Sequence, residues 1–148
     1  SVLNPHDTLP ALERCLDEDQ DGLFFFDLKF LADGPRAMTW NERAVKWRSD
    51  FLKIPFGDQG FLIRRQVFED LGGYPEDLAY GEDHVFVWRV RQGGFSVEGV
   101  GAGLFTSARK YRKGGWLKVT VLHVWLTVKQ AVPQWIKLQR LRIGRLIS

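Results

Sequence analysis

Apolar residues recur along the chain in two rhythms. Leu9, Ala11, Leu12, Cys15 and Leu16 fall at helical spacing, which predicts a helix capped by Thr8, with Pro10 accommodated in its first turn. Val2-Leu3-Asn4 ahead of it reads as a strand, and the acidic residues 17–22 behind it as a loop. Leu23-Phe24-Phe25-Phe26-Asp27-Leu28-Lys29-Phe30 begins as a continuous aromatic run and passes into alternation. That is the pattern of a strand buried on both faces at its start, and Asp33-Gly34-Pro35 breaks it. Trp40, Ala44, Trp47 and Phe51 then recur every three or four residues, so residues 38–52 are predicted to form an amphipathic helix.

Further on, residues 55–60 form a tight polar loop and Phe61-Leu62-Ile63-Arg64 a short strand. Residues 66–71 read as a short helix closed by Gly72-Gly73, and residues 74–81 as loop. Val85, Phe86, Arg89 and Val90 place a helix over 82–92 that Gly93-Gly94 ends. Two short strands are expected at 95–98 and 103–107. Residues 116–132 are rich in Leu, Val and Trp, and Pro133 is expected to start a second, shorter helix. Lys118, His123 and Lys129 interrupt the apolar run, so no bilayer span is expected. A basic helix carrying Trp135 suits a membrane interface instead.

Composition narrows the class. The chain has 148 residues, of which 45% are hydrophobic and 26% charged, enough for one packed domain and unlike a disordered chain. The lone Cys15 excludes an internal disulfide framework and a Cys-based zinc site, and fits a reducing compartment. Charge is divided unevenly: all 18 acids lie before residue 99, leaving residues 1–98 at −7 and residues 99–148 at +10. Such a segment either presents a solvated helical face or meets an anionic partner, whether nucleic acid, phospholipid or a phosphorylated ligand. The chain starts at Ser1 without a signal-like run, and is expected to be a piece of a longer protein.

Four clusters carry candidate chemistry. Asp7 stands between a strand and a helix, where open α/β sheets place ligand and metal contacts, though an acid there also serves as a cap. Gly57-Asp58-Gln59-Gly60 is either a plain turn or a loop whose glycines admit a ligand and whose Asp58 and Gln59 address hydroxyl groups. Glu82-Asp83 opens a helix, a position that suits both capping by the dipole and a rigidly held general base. Thr106-Ser107-Ala108-Arg109-Lys110-Tyr111-Arg112-Lys113 is a solvated basic loop or a phosphate-binding one, since Arg forks match phosphate oxygens.

The order of these clusters is more specific than any of them. Asp7-Thr8, then Gly57-Asp58-Gln59-Gly60 with Phe61-Leu62-Ile63-Arg64-Arg65, Phe68-Glu69-Asp70-Leu71-Gly72-Gly73-Tyr74-Pro75, Glu82-Asp83 with Arg89 and Gly93, and Thr106-Ser107-Ala108-Arg109-Lys110-Tyr111 together resemble the second half of a family 2 glycosyltransferase. The resemblance is closest to the bacterial group associated with arsenosugar biosynthesis. It runs from about residue 3 to residue 130 and is strongest over 55–113.

The resemblance implies an α/β fold: the acceptor-side part of a GT-A (nucleotide-diphospho-sugar transferase) domain with a mixed sheet over residues 1–113, then a basic helical tail over 114–148. It implies transfer of a sugar from a nucleotide-diphosphate donor to an acceptor hydroxyl by inverting displacement. Asp83 would be the general base beside Glu82. Gly57, Asp58 and Gln59 would lie beneath sugar and acceptor, and Arg109 and Arg112 would fold over the diphosphate. Asp7 would hold Mg²⁺ or Mn²⁺ as the last acid of a D-x-D-type element, with Pro5 two positions earlier where many relatives carry Asp or His. The strands that bind the nucleotide precede that acid in the family, so this chain is expected to be inactive alone and to expose a sheet edge. A cytoplasmic protein, peripheral at the inner face of the membrane, is expected. The alternative is a non-catalytic membrane-surface or interaction module. Nucleic acid is not expected, because the Trp residues fall on helices rather than on a sheet platform.

Overall fold

The computed structural model describes residues 2–17, 21–31, 38–75, 78, 81–107 and 116–147. Its elements are β1 (Val2–Leu3), α1 (Pro5–Asp17), β2 (Gly22–Phe30), α2 (Met38–Phe51), a 3-10 turn (Gly57–Gln59), β3 (Phe61–Ile63), α3 (Arg65–Asp70), α4 (Glu82–Gly93), β4 (Ser96–Thr106) and α5 (Trp116–Ile147). The protein is therefore α/β, with one mixed sheet in the order β1-β4-β2-β3. β2 and β4 run parallel, while β1 and β3 pair antiparallel to their neighbours.

The aromatic run of β2 organises the core, because both of its faces are covered. Leu23 and Phe25 pack with Phe86, Val87 and Val90 of α4 and with Val97. Phe24 and Phe26 point the other way, onto Ala11 of α1, Val100 and Ala102. Alternation along one strand thus produces a helix–sheet–helix sandwich. Full burial of each large apolar side chain contributes roughly 1.5–3 kcal/mol. At its outer sides the sheet carries only Val2–Leu3, paired with Leu104 and Phe105 of β4, and Phe61–Ile63, paired with Leu23–Phe25 of β2.

Four expectations change. Helix α1 begins at Pro5, because Asn4 rather than Thr8 caps it: its carbonyl accepts the N–H of Thr8 at 3.0 Å and its Oδ1 that of His6 at 3.3 Å. Thr8 is then a buried helical residue, and Pro10 lies in the helix interior. The two strands expected at 95–98 and 103–107 are one, since the glycines between them form a bulge instead of a break. Phe25 faces Gly99 and Asp27 faces Gly103, and Gly101 sits at φ +78°, a conformation glycine adopts without strain.

The helix expected to stop at Pro133 runs through it, from Trp116 to Ile147. Proline removes one backbone bond, and the docking of this helix on α4 offsets that loss. Gln92 donates to the Gln134 carbonyl at 3.3 Å, Arg145 donates to the Gln92 carbonyl at 3.0 Å, and Leu138 is buried against Trp88 and Ile54. Helix α2 is helical as expected, but its apolar stripe faces outward: Trp40 is 67% exposed and Phe51 74%. Polar anchors hold the other side. Glu42 Oε1 accepts the Phe30 N–H at 2.6 Å, and Lys46 pairs with Asp27 at 2.9 Å and Asp50 at 3.0 Å. Among the described residues no helix is long and apolar enough to cross a membrane.

Candidate functional site

Two of the four clusters meet. The segment leading to the 3-10 turn is held from beneath by Gln59, whose side chain is 0% exposed. Its Oε1 accepts from Ser49 Oγ at 2.8 Å, Arg48 Nη2 at 3.1 Å and the Phe56 N–H at 3.1 Å. Its Nε2 donates to the Phe26 carbonyl at 3.1 Å. Arg48 reinforces the loop, donating from Nε to the Ile54 carbonyl at 2.9 Å and stacking 3.8 Å from the centre of the Phe56 ring. Gln59 was expected to face sugar and acceptor; its carboxamide is instead committed inward, and it anchors the loop. Gly57 and Asp58 remain at the surface.

Helix α4 brings the second cluster to this loop. Gly81, at φ +78°, turns the chain into the helix. Asp83 then lies in the first turn, where the helix dipole favours a carboxylate. Its Oδ1 accepts the His84 N–H at 2.8 Å, and its Oδ2 accepts the Gly57 N–H at 2.5 Å across 26 residues of sequence. A Cβ at position 57 would stand 2.8 Å from Asp83 Oδ2, so a larger residue there would have to displace the carboxylate. Glu82 is exposed beside it. Burial, and after it the charges of Asp83 and Glu82, raises the pKa of Tyr74.

His84 is a residue that sequence reasoning passed over. It is buried, and Trp88 Nε1 donates to its Nε2 at 3.0 Å. An indole is a donor only, so the proton of the neutral ring sits on Nδ1 and is donated to Gln130 Oε1 at 3.0 Å. Burial lowers its pKa, keeping it neutral, with the Gln130 bond opposing that shift. His84 thereby ties α5 to the helix that presents Asp83. The available signal was the i, i+4 spacing of His84 and Trp88.

A cleft of about 180 Å³ opens above this junction, lined by Phe56, Gly81, Asp83, His84, Leu126, Thr127 and Gln130. Phe56 and Thr127 also line a larger apolar groove of about 360 Å³ between α2 and α5, where Asp58 lies. A carboxylate fixed by two backbone donors beside an apolar cleft can accept a proton from a hydroxyl placed there.

Asp7 lies in the first turn of α1, directly after β1. Asp7 Oδ2 accepts from Asn4 Nδ2 at 2.7 Å, and no group of three or more His, Cys, Asp or Glu able to hold a metal occurs among the described residues. Mg²⁺ is commonly held by one or two carboxylates completed by waters and substrate phosphates, and Asp7 could supply one such carboxylate. Arg109 and Arg112 lie outside the described residues. The strand that leads to them ends with Thr106 opposite Phe30, at the ends of two parallel strands.

No protein-family model, curated protein or solved structure matches the chain.

Proposed function

We propose that the chain carries the acceptor-side part of a family 2-type glycosyltransferase and that Asp83 is its general base. One observation supports this reading above the others. The Gly57-Asp58-Gln59-Gly60 loop and the Glu82-Asp83 pair, which the resemblance assigns to acceptor and base, are joined by the Gly57–Asp83 hydrogen bond at the wall of a cleft.

In this reading an acceptor hydroxyl enters the cleft and Asp83 takes its proton. The oxygen attacks the anomeric carbon of a nucleotide-diphosphate sugar from the face opposite the leaving group. The bond from that carbon to the diphosphate breaks, and configuration inverts. Gly57 and Asp58 flank the acceptor, while Arg109 and Arg112 neutralise the charge gathering on the diphosphate.

The test is inverting sugar transfer in the native reading frame, with Asp83→Asn as the decisive variant. Asparagine keeps one oxygen for the Gly57 N–H but cannot take the proton, and its amide nitrogen no longer accepts the His84 N–H. Transfer should fall about 10²–10⁴-fold with donor binding retained. Near-normal turnover would reject the assignment. Activity lost only in proportion to folded protein would leave Asp83 a structural latch.

A further inference from the structure

The geometry points to the outer face built by α2 and α5 as a docking surface for an anionic phospholipid bilayer. The inference is independent of sugar transfer. Two apolar stripes from distant parts of the chain share this face. On α2, Trp40, Trp47 and Phe51 are 67%, 56% and 74% exposed. On α5, Val121, Val124, Trp125, Val128, Val132 and Trp135 are all exposed. At 100° per residue these six fall within an arc of roughly 100°. Gln130, Gln134 and Leu138, which meet α4, occupy a different flank. The groove of about 360 Å³ between the helices is floored by Leu28 and Phe30 and walled by Trp47 and Val128, an apolar slot suited to an acyl chain.

Charge selects the occupant. Beyond Glu98 the chain has no acid, and ten Lys and Arg residues. Lys129 lies 5.1 Å from the centre of the Trp125 ring, and at 100° per residue Lys129 and Arg140 border the apolar arc on one side. On α2, Arg43 lies 5.8 Å from the centre of the Trp40 ring. The acids Glu42 and Asp50 are engaged by the Phe30 N–H and by Lys46. Asp58 stands on the groove wall. A second copy would bring the same cations of α5 against this face, so self-association is opposed by charge. Tryptophan beside Lys and Arg around a valine-rich arc instead matches the headgroup boundary, where indoles settle and cations meet lipid phosphate.

Flotation of the full chain with vesicles tests this without any sugar donor, so its outcome is separate from that of the transfer assay. The chain should float with vesicles of mixed phosphatidylglycerol and phosphatidylcholine, stay behind with phosphatidylcholine alone, and be released by high salt. Reversing Lys129→Glu and Arg140→Glu together should lower partitioning about tenfold or more. Trp125→Ala with Trp135→Ala should lower it too while the chain stays folded by circular dichroism, since both side chains are more than half exposed. Failure to float, equal flotation with neutral vesicles, or binding unaffected by these variants would overturn the proposal. So would a lipid-free dimer, seen by sedimentation velocity, that the paired Trp substitutions dissociate, for the face would then belong to a second copy.

Discussion

Asp7 and Asp83 look alike locally and differ in everything beyond. Each stands in the first turn of a helix, where the dipole favours an acid. Asp7 is tied to Asn4, three residues away, at one edge of the sheet. Asp83 reaches the backbone of a loop 26 residues away and faces a cleft that a third element, α5, helps to close. The lesson is that a carboxylate at a helix start becomes a candidate base when distant segments converge on it, and remains a local contact when they do not.

The contrast is open to measurement. The largest effect should come from Asp83→Asn set beside Asp7→Asn in the transfer assay: the first should lose about 10²–10⁴-fold, and an equal loss from the second would break the distinction. Next in size is Gln59→Ala, which strips Arg48, Ser49, the Phe56 N–H and the Phe26 carbonyl of a buried partner. It should destabilise the fold by about 2–4 kcal/mol in denaturant melts. A change within a few tenths would mean that the loop is held by other means.

Gly57→Ala should cost about 1–3 kcal/mol, since its methyl group must displace the Asp83 carboxylate or the turn. Transfer should fall along with stability, and a neutral result would remove Gly57 from the site. The smallest effect concerns pH. Burial lowers the pKa of His84 in the folded chain below its ordinary 6.5. As pH falls through that value the unfolded chain takes up the proton first, so stability is whole above it and declines below. The melting temperature should drop below pH 6.5, and His84→Asn should flatten that part of the slope.

How much of this was legible in sequence can be judged element by element. The β2 strand announced itself, because a run of Phe continuing into alternation has one low-energy solution: a strand covered on both faces. Helix α4 was equally plain from its 3.6-residue period and its glycine ends. The continuity of β4 was not, because glycines signal both breaks and bulges, and only pairing with β2 distinguishes them. Nor was the continuity of α5, since the effect of Pro133 depends on what the flanking turns dock against.

The Gly-Asp-Gln-Gly loop was found, but the division of labour within it was not: Gln59 turned inward and Gly57 faced the acid. His84 carried no motif, so its role depended on the approach of Gln130 from α5.

By itself, then, the sequence determined which stretches are helical or extended (though not how far β4 and α5 run), which strand is covered on both faces, and how charge divides about residue 98. These follow from side-chain periodicity and composition, which are properties of neighbours in the chain. The tertiary structure alone decided which acid faces a cleft, that the stripe of α2 points outward, and that Trp47 lines one groove with Val124 and Val128 of α5. Those outcomes depend on which segments compete for the limited area of the two sheet faces. Once Leu23 and Phe25 had taken α4, and Phe24 and Phe26 had taken α1, α2 was left anchored through its polar side.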